Sequence, residues 1–61
     1  MSEYDVKRLA LILALQAEVE GMKAENTQKE LGFYELTYNE SDFKDMAEKI
    51  RNVAHCHNEQ L

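Results

Sequence analysis

Seven apolar residues in succession, Leu9-Ala10-Leu11-Ile12-Leu13-Ala14-Leu15, constrain this chain more than any other feature. The run holds no Pro and a single β-branched residue, Ile12, and helix formers flank it on both sides (Lys7, Arg8, Gln16, Ala17, Glu18). It therefore reads as helix. An ordinary surface helix presents one apolar stripe. This one presents two rows, one through Tyr4, Leu11, Leu15 and Met22, the other through Val6, Leu9, Leu13, Ala17 and Ala24, with Ile12 and Val19 between them. Arg8, Gln16 and Lys23 fall near or within that broad face. Arg8 and Lys23 are expected to snorkel to its margins. Gln16 is either a buried polar group that fixes register in a helix–helix seam or a rim residue.

Ser2 is the natural N-cap, with Glu3 and Asp5 supplying negative charge to the first turn. The capping-box position holds Asp5 rather than Glu, so the box is expected to be imperfect. Gly21 costs about 1 kcal/mol against Ala inside a helix and marks either a kink or the close approach of another helix. Glu25 and Lys29 have the favourable i,i+4 order for an ion pair. Gly32 is the expected stop, a left-handed residue after which Phe33 folds back on the last turn.

Phe33-Tyr34-Glu35-Leu36-Thr37-Tyr38 alternates aromatic and β-favouring residues. It reads either as a strand that pairs with a second copy or as an extended connector whose aromatics cap the helix ends. Phe33, Tyr34 and Tyr38 form a candidate partner patch, because aromatics are enriched at interface hot spots. A second helix starts at Asn39 or Ser41. Its apolar positions Phe43, Met46, Ala47, Ile50, Val53, Ala54 and His57 keep helical spacing, Asp45 and Lys49 form an outward pair, and the end after Asn58 is expected to be loose.

The expected fold is therefore all-α: a long helix over about 3–31, a connector over 32–40 and a shorter helix over about 42–58. The second helix is too short and too narrow to cover the first. The surplus, carried by Leu11, Ile12, Leu15, Val19 and Met22, makes these the candidate interface. With 61 residues the chain forms one domain, 1–61, which buries only about 60% of its unfolded surface. Cys56 is the sole cysteine, so no internal disulfide helps. Oligomerisation is the remaining remedy, and two hairpins pairing into a four-helix arrangement would supply it.

Twelve acids against seven bases give a net charge of −5. That balance repels phosphate backbones and anionic lipids, so nucleic acid is an unlikely direct partner and a membrane surface is not expected. The apolar run is also shorter than the roughly 20 residues a bilayer requires. An acidic opening segment and a free thiol fit the cytoplasm. His55-Cys56-His57 is the one cluster of metal-ligating residue types, but on a helix the two histidines point to nearly opposite sides. No metal or other cofactor is expected, and only a site bridging two copies is geometrically open. The carboxylates Glu18 and Glu25, or Asp42 and Asp45, lack a pocket that would tune them, and no phosphate-cradling glycine loop exists, so no catalytic residues are expected. The sequence points to a small acidic, non-catalytic protein–protein interaction module acting as a homodimer. The alternative is a nucleic-acid-associated small regulator or a nucleic-acid mimic, which would gather its acids on one face.

Overall fold

The computed structural model describes all 61 residues. Helix α1 spans Glu3–Leu31, helix α2 spans Glu40–His55, and a 3-10 turn covers Asn58–Gln60. There is no strand, so residues 33–38 are a connector. The all-α hairpin is long and thin, 47 × 18 × 12 Å.

Both helices begin with a closed capping box. Ser2 Oγ accepts the Asp5 N–H at 3.1 Å, while Asp5 Oδ2 accepts the Ser2 N–H at 3.2 Å. The shorter Asp thus completes a box that the sequence rule assigns to Glu or Gln. Asn39 and Asp42 make the same reciprocal pair at 3.0 Å each, which selects Asn39 over Ser41 as the N-cap of α2. Tyr38 and Phe43, the staple positions around that cap, are both half-buried.

The end of α1 differs from the expectation by one residue. Gly32 has φ −89° and is not left-handed; Phe33 takes that conformation instead, at φ 60°. Phe33 N–H bonds the Glu30 carbonyl at 3.1 Å and Tyr34 N–H bonds the Lys29 carbonyl at 2.9 Å, the two bonds of a Schellman ending with Phe33 at the left-handed position. Gly32 instead leaves room for the Tyr34 ring. A Cβ there would stand 2.7 Å from the Tyr34 ring. That ring lies beside Lys29, whose Nζ is 5.7 Å from its centroid. Lys29 is thus engaged with Tyr34 rather than with Glu25. Asp45 and Lys49 also do not pair; the ion pair that forms on α2 is Lys44–Glu40, 3.2 Å.

The helices meet along one seam. On α1 the half-buried Arg8, Ile12, Leu15, Val19, Met22 and Asn26 follow one another at alternating spacings of four and three, the pattern of a helix seam. On α2 the answering residues are Phe43, Met46, Ala47, Ile50 and Val53. Met46 is the one buried residue in the chain, 7% exposed.

Helix α2 ends at His55, three residues short of the expected 58. Cys56 is extended and half-buried, and His57 is exposed rather than part of the apolar stripe. The cause lies on α1. The Arg8 guanidinium takes up the carbonyls at this end, so the chain leaves the helix there. The tail is not loose: it closes a 3-10 turn, and Leu61 is half-buried.

Candidate interaction surface

Two polar side chains of α1 fix where α2 lies. At one end, Arg8 Nε donates to the Val53 carbonyl at 3.0 Å, and Nη2 donates to the Cys56 carbonyl at 2.8 Å and to Asn58 Oδ1 at 3.1 Å. Carbonyls at a helix C-terminus lack intrahelical partners and carry partial negative charge, so a half-buried guanidinium is well matched to them. At the other end, Asn26 Nδ2 donates to the Tyr38 carbonyl at 2.9 Å and Asn26 Oδ1 accepts the Tyr38 N–H at 3.0 Å. Arg8 and Asn26 are about 27 Å apart along α1, and α2 fits between them. Gln16, which the sequence offered for the register role, is exposed and donates to Glu20 at 3.2 Å.

The Tyr38 phenol faces Glu25. The Glu25 carboxylate raises its pKa above the usual 10.0, first by charge and then by hydrogen bonding, with smaller contributions from desolvation and from Asp42. Tyr38 also lines a shallow groove with Met22, Asp45, Met46 and Lys49. The aromatic patch therefore divides. Tyr38 is built into the hairpin, Tyr34 lies against the end of α1 beside Lys29, and Phe33, 98% exposed, stands free.

The candidate interface residues also divide. Ile12, Leu15, Val19 and Met22 are half-buried in the seam against α2, and Leu11 is exposed beside it. Leu11, Ala14, Leu15 and Glu18 form one wall of an open groove whose other wall is Lys49, Asn52 and Val53. The second apolar row lies elsewhere. Val6, Leu9 and Leu13 remain 55%, 45% and 59% exposed, on the side of α1 turned away from α2. The sequence shows that row, but it does not show which of the two rows α2 takes.

The amount of uncovered surface is large for the mass. A compact 7.1 kDa protein is expected to expose roughly 4,100 Å². This chain exposes 4927 Å², about 800 Å² more, and one partner in a standard protein–protein interface buries about that area.

The His55-Cys56-His57 cluster straddles the end of α2. His55 lies at the end of α2, Cys56 Sγ donates to the Val53 carbonyl at 3.4 Å, and His57 faces solvent. No group of three His, Cys, Asp or Glu side chains is placed to hold a metal ion. No helix is long and apolar enough to cross a membrane. No family model matches the chain, and neither a curated protein nor a solved structure matches it. The functional reading therefore rests on the surface itself.

Proposed function

We propose that this chain is a small acidic, non-catalytic protein–protein interaction module that acts as a homodimer in the cytoplasm. The observation that carries this is the apolar face of α1: three large aliphatic side chains lie about half exposed on one side of a helix whose other side is already occupied. Contiguous apolar surface of this kind marks an interaction site on a protein small enough to need one. A hairpin of two helices encloses no pocket to tune an acid or a base, so a non-catalytic role fits its geometry. The single free thiol, Cys56, fits a reducing compartment.

The mimic alternative gains no support. At about 100° per residue, Asp5, Glu18, Glu20, Glu25 and Glu30 are distributed around α1 rather than arrayed on one face. A direct nucleic-acid binder would need a basic stripe, which an excess of twelve acids over seven bases disfavours.

Sedimentation equilibrium tests the proposal. The expected result is reversible association to twice the 7.1 kDa chain mass at micromolar concentration. A stable folded monomer at every concentration would overturn it.

A further inference from the structure

Resting on the dimer proposed above, we infer that the second copy packs antiparallel along α1, on the face turned away from α2. In this arrangement Ala17 lies at the two-fold axis, and Leu13 of each copy is seated over Gly21 of the other.

Gly21 supplies the first reason. It lies inside α1 with no positive φ, and a Cβ built on it meets nothing within 4 Å. Neither the backbone nor the packing of the single chain uses this glycine, although glycine disfavours a helix interior. A helix approaching from outside would use it. Gly21 also continues a row of small residues, Ala10, Ala14, Ala17 and Ala24, at alternating spacings of four and three. That row is centred well over 90° around the helix from the α2 seam, by about 100° per residue, with Ala14 on its edge beside the groove toward α2. Small residues let two helix backbones approach closely, and Val6, Leu9 and Leu13 border the row with exposed apolar bulk.

The register follows from size. With the axis at Ala17, Leu13 lies four residues before it and Gly21 four after, so the large side chain meets the gap. Ala10 and Ala24 meet in the same way, each seven residues from the axis. Charge selects the antiparallel sense. Lys7 then lies along the same edge as Glu25 of the second copy, and two such pairs offset the approach of the two Glu18 side chains on that edge beside the axis. A parallel pair would instead set Lys7 against an apolar edge and place the two helix N-termini side by side. A two-fold interface of this kind is closed, so it stops at two copies. The excess of about 800 Å², spread over the whole elongated chain, is of the order that a standard dimer buries on each side. Each α2 remains on the outer side, giving a flat row of four helices rather than a square bundle.

Disulfide trapping in a Cys56→Ser background tests the geometry, since only closely opposed Cα atoms can be bridged. Under mild oxidation Ala17→Cys is expected to give mostly cross-linked dimer, and Leu11→Cys little. A mixture of Leu13→Cys and Gly21→Cys chains is expected to cross-link with each other more than with themselves. Gly21→Leu gives an independent measure. It is expected to raise the dissociation constant at least tenfold while the diluted chain keeps its helicity, because the single chain has room for the side chain. A dimer that traps through Leu11→Cys instead of Ala17→Cys, or a Gly21→Leu chain that associates as tightly as the parent, would overturn the inference and leave the homodimer standing. A parent chain that is monomeric throughout would overturn both.

Discussion

The two faces of α1 are both apolar, yet they are built differently. The face toward α2 carries Ile12, Leu15, Val19 and Met22 between two polar ends, Arg8 and Asn26. The opposite face carries Ala10, Ala17, Gly21 and Ala24 beside Leu13, with Ala14 at its edge bordering the groove toward α2, and has no polar residue at corresponding ends that bonds another element. Large side chains suit a neighbour that arrives with large side chains of its own, as α2 does with Phe43, Met46 and Ile50. Polar ends suit a neighbour that must be placed in one register. A row of small residues suits a close helix contact whose register is set by shape alone. The difference teaches that hydrophobicity by itself does not say which face folds the chain and which one joins it to another.

Ile12 and Leu13 make the comparison sharpest, because they are adjacent and nearly equal in size but lie about 100° apart, Ile12 in the seam and Leu13 beside the small-residue row. Ile12→Asp would place a charge in the seam without a partner, a class of change that costs about 3 kcal/mol or more. A hairpin with one buried residue has little stability to lose, so the expected result is loss of most helical circular dichroism. Leu13→Asp is expected to keep its helical signal in the cold and to sediment as a monomer. If Leu13→Asp unfolds as completely as Ile12→Asp, the faces are not separable and the hairpin exists only within the dimer.

The polar ends come next in size. Arg8→Ala removes three hydrogen bonds from a side chain only 18% exposed. Hydrogen bonds to charged groups contribute about 1.5–3 kcal/mol, which partial solvation brings toward the lower figure. The midpoint of thermal unfolding is expected to fall by roughly 10 °C, on a scale of several degrees per kcal/mol for so short a chain. Arg8→Lys is expected to recover little of this, because one ammonium cannot span the Val53 carbonyl, the Cys56 carbonyl and Asn58. Full recovery with Lys would show that charge at the end of α2, rather than the fork of bonds, holds the seam.

Much of the hairpin was legible in the sequence. Ser2 marked the start of α1, the start of α2 was narrowed to Asn39 or Ser41, and the spacing from Phe43 to Val53 followed the face of α2 that the hairpin covers. The polar ends were not legible as such. Arg8 stands four residues before Ile12 and Asn26 four after Met22, so both continue the seam spacing, but a spacing rule that counts only apolar residues passes over them. The same rule carried α2 on to His57, because it has no term for the arginine that draws the chain away after His55. Choosing between the two apolar rows of α1 also lay beyond periodicity. That choice depends on which row brings Arg8 and Asn26 into reach of the ends of α2, a long-range condition.

A smaller effect of opposite sign is expected at the turn between the faces and the connector. Phe33 is 98% exposed and holds a positive φ of 60°, which costs an ordinary residue roughly 1–2 kcal/mol. Phe33→Gly relieves that strain but loosens the unfolded chain, so the net expectation is a stabilisation of about 0.5–1 kcal/mol in chemical denaturation. A loss of stability would mean that the phenyl ring makes a contact in the dimer that the single chain does not show. The variant thus also reports on whether the exposed aromatics belong to the interface.

The smallest expected effect is a pH dependence at Tyr38, and it tests the Asn26 end of the seam without changing its packing. Glu25 raises the folded-state pKa of the phenol above 10.0, so the folded chain holds the proton more tightly than the unfolded one. The unfolded state then binds fewer protons in the range above 10.0, and stability falls as pH rises. The contribution is complete below the unfolded value and is lost as pH climbs through the folded one. Tyr38→Phe is expected to flatten that part of the curve when unfolding is followed between pH 9 and about 11.5, around the ordinary tyrosine pKa. Glu25→Gln is expected to do the same, because it removes the charge that causes the shift. A decline in stability that is identical in the parent and both variants would place its origin away from this end of the hairpin.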